Sequence, residues 1–165
     1  MVEIRKTLSK LKPKIVHFIL SIDKEGKPSG MVADWATTVS YNPPLIAVAL
    51  KKKGFTHKLI QQSKEFVVSI ATKDLEHAIS SFGYVSGEKI DKFKKTDLKT
   101  LPAKKIKTPI LKEAKYNFEC KLNKEIDVGD HFLYVGEVVQ AHENSKKEIL
   151  LNFGRKNNIR IFGTR

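Results

Sequence analysis

The sequence predicts a mainly β domain, a closed antiparallel barrel carrying a few short helices. Three observations lead there. Apolar stretches of strand length recur along the chain, separated by turns rich in Gly, Pro, Asn and Asp. Helical periodicity is confined to short segments. No βαβ alternation occurs and no GxGxxG follows a strand, which sets aside a doubly wound nucleotide fold. Many strands with few helices close best as a barrel.

The chain has 165 residues, one domain over 1–165 with a core expected from about 13 to 163. Hydrophobic residues make up 41% and charged residues 30%, a composition that buries a core and does not stay disordered. No apolar run approaches the roughly 20 residues of a membrane helix. The segment Met1 to Lys14 is charged and has no apolar h-region, so no signal peptide is expected. Cys120 is the single cysteine, which excludes an internal disulfide. These features predict a cytoplasmic protein that is not held in a membrane.

The formal charge is +13, but of 31 basic residues only Arg5, Arg155, Arg160 and Arg165 are arginines. Base readout and bidentate phosphate contacts favour Arg. The dispersed lysines therefore read as a solvated surface, and no nucleic-acid partner is expected. Their field still draws in anionic ligands.

The elements follow in order. Ile15 to Ile22 is a first strand, and Asp23-Lys24-Glu25-Gly26-Lys27-Pro28 reverses the chain. Gly30 to Thr37 reads as the second strand of a hairpin. Asn42-Pro43-Pro44 breaks it, and Leu45 to Leu50 is a buried strand by its continuous apolarity. After Lys51-Lys52-Lys53-Gly54 a short helix begins, with Thr56 as N-cap and Leu59 and Ile60 facing inward. Phe66 to Ile70 is a strand. A helix capped by Thr72 or Asp74 runs to about Phe82 and ends at Gly83. Ser86 to Pro109 reads as a charged loop anchored by Phe93. Tyr116 to Leu122 alternates as a half-buried strand. Gly129-Asp130 turns into a long strand from His131 to His142, in which Gly136 marks a bulge or a close approach. Leu150 to Phe153 and Ile159 to Phe162 are short terminal strands.

Three segments could carry chemistry. Asp34-Trp35-Ala36-Thr37-Thr38-Val39-Ser40 is either a strand using Thr for β propensity, or a strand end presenting backbone N–H groups and hydroxyls to a flat polar ligand. Lys53-Gly54-Phe55-Thr56 is either a solvated basic loop or an anion site, in which glycine lets the backbone approach and a helix N-terminus adds its dipole. His131, after Gly129-Asp130, is a structural histidine or one that stacks on a nucleotide. The five histidines show no ligand spacing, so no metal site is expected. Cys120 lies on the apolar side of its strand and reads as a core thiol.

Taken in order, these segments resemble the flavin reductase-like family with the FMN-binding split-barrel fold. The matching stretches are Ser29-Gly30-Met31-Val32-Ala33-Asp34-Trp35-Ala36-Thr37-Thr38-Val39-Ser40, Asn42-Pro43-Pro44-Leu45-Ile46-Ala47-Val48, Phe55-Thr56-His57-Lys58-Leu59-Ile60, Glu65-Phe66-Val67-Val68, Val85-Ser86-Gly87-Glu88-Lys89-Ile90-Asp91-Lys92-Phe93 and Gly129-Asp130-His131-Phe132-Leu133-Tyr134-Val135-Gly136-Glu137-Val138. The resemblance implies a six-stranded antiparallel split barrel of Greek-key arrangement, forming a homodimer with flavin near the interface. It implies that the 34–40 stretch, with Asp34, Trp35, Ala36, Thr37, Thr38 and Ser40, lines the FMN ring and tail. Lys53, Phe55 and Thr56 would hold the phosphate end, Lys92 and Phe93 would close over the cofactor, and His131 would meet the nicotinamide. Asp34 stands where the family more often has a small neutral residue, and Thr38 where proline is common.

The implied activity is hydride transfer from NAD(P)H to FMN, with electrons passed on to free flavin, a ferric complex, oxygen or a protein acceptor. The alternative is a flavoredoxin-like electron carrier that does not turn over NAD(P)H directly.

Overall fold

In the computed structural model, residues 3–144, 146–156 and 159–164 are described. The elements are α1 (Ile4–Ser9), β1 (Lys14–Ile15), β2 (His17–Ile22), β3 (Pro28–Ala33), β4 (Ala36–Tyr41), β5 (Pro44–Lys51), α2 (Phe55–Ser63), β6 (Glu65–Ile70), a 3-10 turn (Lys73–Ala78) leading into α3 (Ile79–Tyr84), α4 (Lys92–Thr96), β7 (Thr100–Leu101), β8 (Ile110–Leu111), β9 (Tyr116–Val128), β10 (His131–Glu143), β11 (Leu150–Lys156) and β12 (Ile159–Thr164). None of the described helices is long and apolar enough to cross a membrane.

The main sheet is antiparallel and has seven strands in the order β3-β2-β6-β9-β10-β5-β4, one more than the six expected. The difference lies at Asp34-Trp35. The stretch read as one strand from Gly30 to Thr37 breaks there, because the chain leaves one edge of the sheet after β3 and joins the opposite edge as β4. Likewise the first predicted strand divides at Val16, which splits its backbone bonds between Leu150 and Ala71. So β1 pairs with β11, and β11 with β12, in a separate three-stranded sheet.

Period-2 alternation sorts the strands into two packed layers. Ile19, Ile46, Val48, Leu50, Phe66, Val68, Cys120 and Tyr134 fill the barrel interior, which Ile60 of α2 helps to close. Phe18, Leu20 and Val67 point the other way and pack under Leu75, Ile79 and Phe82 of the helical segment. β9 is less half-sided than its alternation suggests. Its polar positions Asn117 and Glu119 are also buried, and both are satisfied. Glu119 accepts the backbone N–H groups of Lys104 and Lys105 at 2.7 Å each, and meets His142 Nε2 at 2.6 Å. Burial alone would raise its carboxyl, but these donors outweigh that and hold it below the usual range.

Three smaller expectations shift. α2 is capped at Gly54, with Thr56 inside its first turn and buried. Gly83 lies within α3, not after it. The charged 86–109 region contains α4, whose N-cap Asp91 accepts from Lys94 N–H at 3.1 Å. Gly136 is both bulge and close approach. The β9–β10 register slips beside it, and a Cβ there would stand 2.4 Å from Phe66 Cζ and 2.8 Å from Cys120 Cβ. Gly136→Ala is expected to cost about 2 kcal/mol in urea unfolding, since an overpacked core must shift its neighbours. Unchanged stability would place that methyl group elsewhere.

Candidate active site

On the outer face of the barrel, a cleft of about 500 Å³ is lined by Lys14, Ile15, Asp34, Trp35, Ala36, Thr37, Ala47, Ala49 and Leu133. Strand alternation explains the lining. Ile46, Val48 and Leu50 point into the barrel, so Ala47 and Ala49 point out and leave a flat floor of methyl groups. Leu133 pairs with Ala49 across β10 and extends that floor. β4 is the last strand of the sheet, so among the described residues one side of its backbone has no strand partner and offers an edge to a ligand.

Trp35 sits in the crossover between β3 and β4, with its carbonyl taken by Ala49 N–H at 2.9 Å and its ring half exposed. His131 approaches it with ring centroids 4.8 Å apart, and Lys14 Nζ lies 5.2 Å from the Trp35 ring centre. His131 Nδ1 meets Asp130 at 2.6 Å. Asp34, by contrast, turns its carboxylate toward Lys12 at 2.6 Å and Asn152 at 2.9 Å. Burial pushes the Asp34 carboxyl up, but the Lys12 hydrogen bond and the charges of Lys12 and Lys14 outweigh it and hold the group below its usual range. The charge that departs from the family pattern is thus neutralised by a cation twenty-two positions upstream.

Beyond the cleft, the turn after β5 leads into α2. Lys53 is exposed, and the first turn of α2 carries no side-chain cap, which leaves N–H donors for an anion. Phe55 braces that turn. Gly87 packs so closely that a Cβ would lie 2.8 Å from Phe55 Cδ1 and 2.2 Å from Ser29 Oγ. Lys58 reaches Glu88 at 2.6 Å, tying the same loop to α2.

Lys92 and Phe93 stand behind this arrangement. Lys92 is 4% exposed, and its ammonium donates to the carbonyls of Gly30 at 2.7 Å and Phe82 at 3.1 Å. Burial lowers its pKa to about 8. Phe93 meets Phe82 edge-on at 5.3 Å. The structure therefore brings Asp34, Trp35, Ala36, Thr37 and, through Trp35, His131 to one cleft. Thr38 and Ser40 continue along β4, where a bulge falls between them. Lys53, Phe55 and Thr56 form the adjoining turn, and Lys92 and Phe93 support β3 and α3 from behind.

The family profile described as flavin reductase like domain matches residues 10–159. The chain belongs to the flavin reductase-like family. A ferric-chelate reductase (NAD(P)H) of Archaeoglobus fulgidus is 31% identical over 135 residues, covering 81% of this chain and 78% of that protein. Among solved structures, the FMN-binding protein from Thermus thermophilus superposes with a TM-score of 0.80 at 25% identity, over 93% of this chain and 87% of that one. The flavoredoxin of Desulfovibrio vulgaris (Miyazaki F) superposes at 0.85 and 22% identity, over 100% and 93%.

The cleft has the chemistry to take a flavin: a flat apolar floor and, beside it, the edge of β4, with the uncapped start of α2 outside its lining. Sequence reasoning missed Ala47, Ala49 and Leu133. The signal was present, because small residues at alternate positions of an otherwise bulky strand mark the outward face. Lys14 and Ile15 gave no signal, since only the pairing of β1 with β11 brings them to the cleft.

Proposed function

We propose that this flavin reductase-like protein binds FMN in the outer cleft, takes hydride from NAD(P)H and passes the electrons to free flavin, a ferric complex or a protein acceptor. The observation that carries the reading is the aromatic pair of Trp35 and His131 beside an alanine floor and an open strand edge. When bound, FMN supplies the acceptance of hydride and the release of electrons. The chain's own groups bind and orient. The backbone of residues 34–40 and the hydroxyls of Thr37, Thr38 and Ser40 hold the ring edge and the tail. Lys53, the Thr56 hydroxyl and the free N–H groups of α2 hold the phosphate. His131 faces the nicotinamide. Lys92 and Phe93 act through β3 and α3, keeping the cleft wall in place.

A cytoplasmic homodimer is part of the proposal. Trp35, Val39, Ile126 and Val128 are between 42% and 51% exposed. A second copy laid over this side would cover them and exclude water from the cleft.

Two substitution results test the assignment. Lys53→Ala and Thr56→Ala are each expected to weaken FMN binding roughly tenfold, the scale of one lost charge-assisted contact; full retention in both variants would remove the phosphate from this turn. His131→Ala is expected to keep flavin but slow its reduction by NAD(P)H at least about tenfold. Normal reduction kinetics would take His131 out of the site.

A further inference from the structure

His57 has no assigned part in flavin binding, yet it ties the phosphate turn to the strand that carries His131. It lies in the first turn of α2 and is 8% exposed. Its ring stacks on Phe132 with centroids 4.8 Å apart and planes 5° from parallel. Its Nδ1 is hydrogen-bonded to the Tyr134 hydroxyl, fully buried inside the barrel. Glu125 stands opposite Tyr134 in the β9–β10 pairing, where its charge acts on the hydroxyl, and it accepts from Gln61 Nε2 at 2.7 Å. Gln61 is on α2 again, so the string leaves the helix, crosses β10 and β9, and returns.

The direction of the string follows from donor chemistry. An ionised carboxylate only accepts, so the Glu125 charge across the strand pair favours a Tyr134 proton turned toward it. The Tyr134 oxygen must then accept, and His57 donates from Nδ1. Two charges act on the ring, Glu125 on β9 and Lys58 on α2; Lys52 Nζ lies 5.2 Å from the centre of the Phe132 ring stacked on it and is paired with Asp127. Burial, opposed by Glu125 and helped by Lys58, lowers the His57 pKa and keeps the imidazole neutral.

We propose that His57 is a positioning residue for the phosphate site, holding the first turn of α2 in register with β10 through the Nδ1–H···Tyr134···Glu125 string. This rests on the assignment of the flavin phosphate to residues 53–56. It predicts that breaking the string weakens binding of FMN and spares riboflavin, which has no phosphate.

The experiment measures dissociation constants for FMN and riboflavin in His57→Ala, Tyr134→Phe and His57→Asn, with the imidazole nitrogens of the flavin-free protein read by nitrogen-15 NMR. The expected result is a roughly tenfold weaker FMN complex in the first two variants, with riboflavin moved less than about twofold. His57→Asn, whose amide N–H overlays the Nδ1–H, should recover FMN affinity to within about threefold. The NMR should show the Nδ1–H tautomer. An Nε2–H tautomer, equal losses for both flavins, or no FMN loss in either string-breaking variant would overturn the proposal. Unchanged FMN binding in Lys53→Ala and Thr56→Ala would instead fail the phosphate assignment, and the proposal with it, even with the tautomer as expected.

Discussion

Ala49→Phe is expected to lower FMN affinity at least about 100-fold while the melting temperature moves by no more than about 2 °C. The asymmetry comes from where the side chain points. Ala49 is an outward position of β5, in the cleft floor between Trp35 and Leu133, whereas its neighbours Val48 and Leu50 are in the barrel core. A benzyl side chain there points out of the barrel into the cleft. It occupies the plane that a flat ring must use and cannot retract, because the backbone is fixed by the Ala49 N–H bond to Trp35. Flavin fluorescence titration with a parallel thermal melt separates the two effects. FMN affinity within about threefold of the parent would place the ring on another surface.

A second large effect concerns stability and pH. His17 is 5% exposed on β2, and its Nδ1 is buried with no hydrogen-bond partner among the described residues. Burial lowers its pKa from 6.5 to about 4, only partly offset by the Ala33 carbonyl and the charge of Asp34. The group is therefore neutral in the folded chain at pH values where the unfolded chain binds a proton. Protons pull toward the unfolded state as pH falls from about 6.5 to about 4, and stability declines across that window. The shift corresponds to about 3 kcal/mol, flat above the window and complete below it. Asp34 and Glu119 also have lowered pKa values, but their contributions are lost only further down, as pH falls through the folded-state values of carboxylates. Urea unfolding at pH 7.5, 5.5 and 4.5 should show the decline, and His17→Phe should remove most of it. Parallel losses in both proteins would mean that His17 is not the group responsible.

The strand set was legible because period-2 apolar patterning is a direct consequence of strands with a buried face. What failed was continuity. Residues 30–37 read as one strand because Trp35 and Ala36 are as compatible with a sheet as Val32 and Ala33 are. The break falls where Asp34 pairs with distant Lys12 and the chain crosses to the other sheet edge. α4 was illegible for the opposite reason: Lys-Phe-Lys-Lys-Thr is too short to show a face, and only the Asp91 cap marks its start. Thr56 looked like an N-cap by residue type, but the glycine two positions earlier takes that place.

For the site, order along the chain was informative and depth was not. Residues 34–37 line the cleft, and His131 reaches it through the Trp35 ring, although the two stretches lie far apart in the chain. The resemblance implies that Lys92 closes over the cofactor, yet Lys92 is buried and donates to two backbone carbonyls. The His57–Tyr134–Glu125 string joins residues far apart in sequence, through a barrel interior whose closure no local pattern describes.

The most direct test is the visible spectrum of the purified protein with FMN, followed without oxygen as NADH and NADPH are added separately. The account predicts a protein-bound flavin band near roughly 450 nm that bleaches with one or both donors, because the protein supplies the pocket and the cofactor the chemistry. Bound flavin that stays oxidised would remove the nicotinamide step and leave an electron carrier reduced by another protein. Failure to bind flavin at all would contradict the assignment of the cleft.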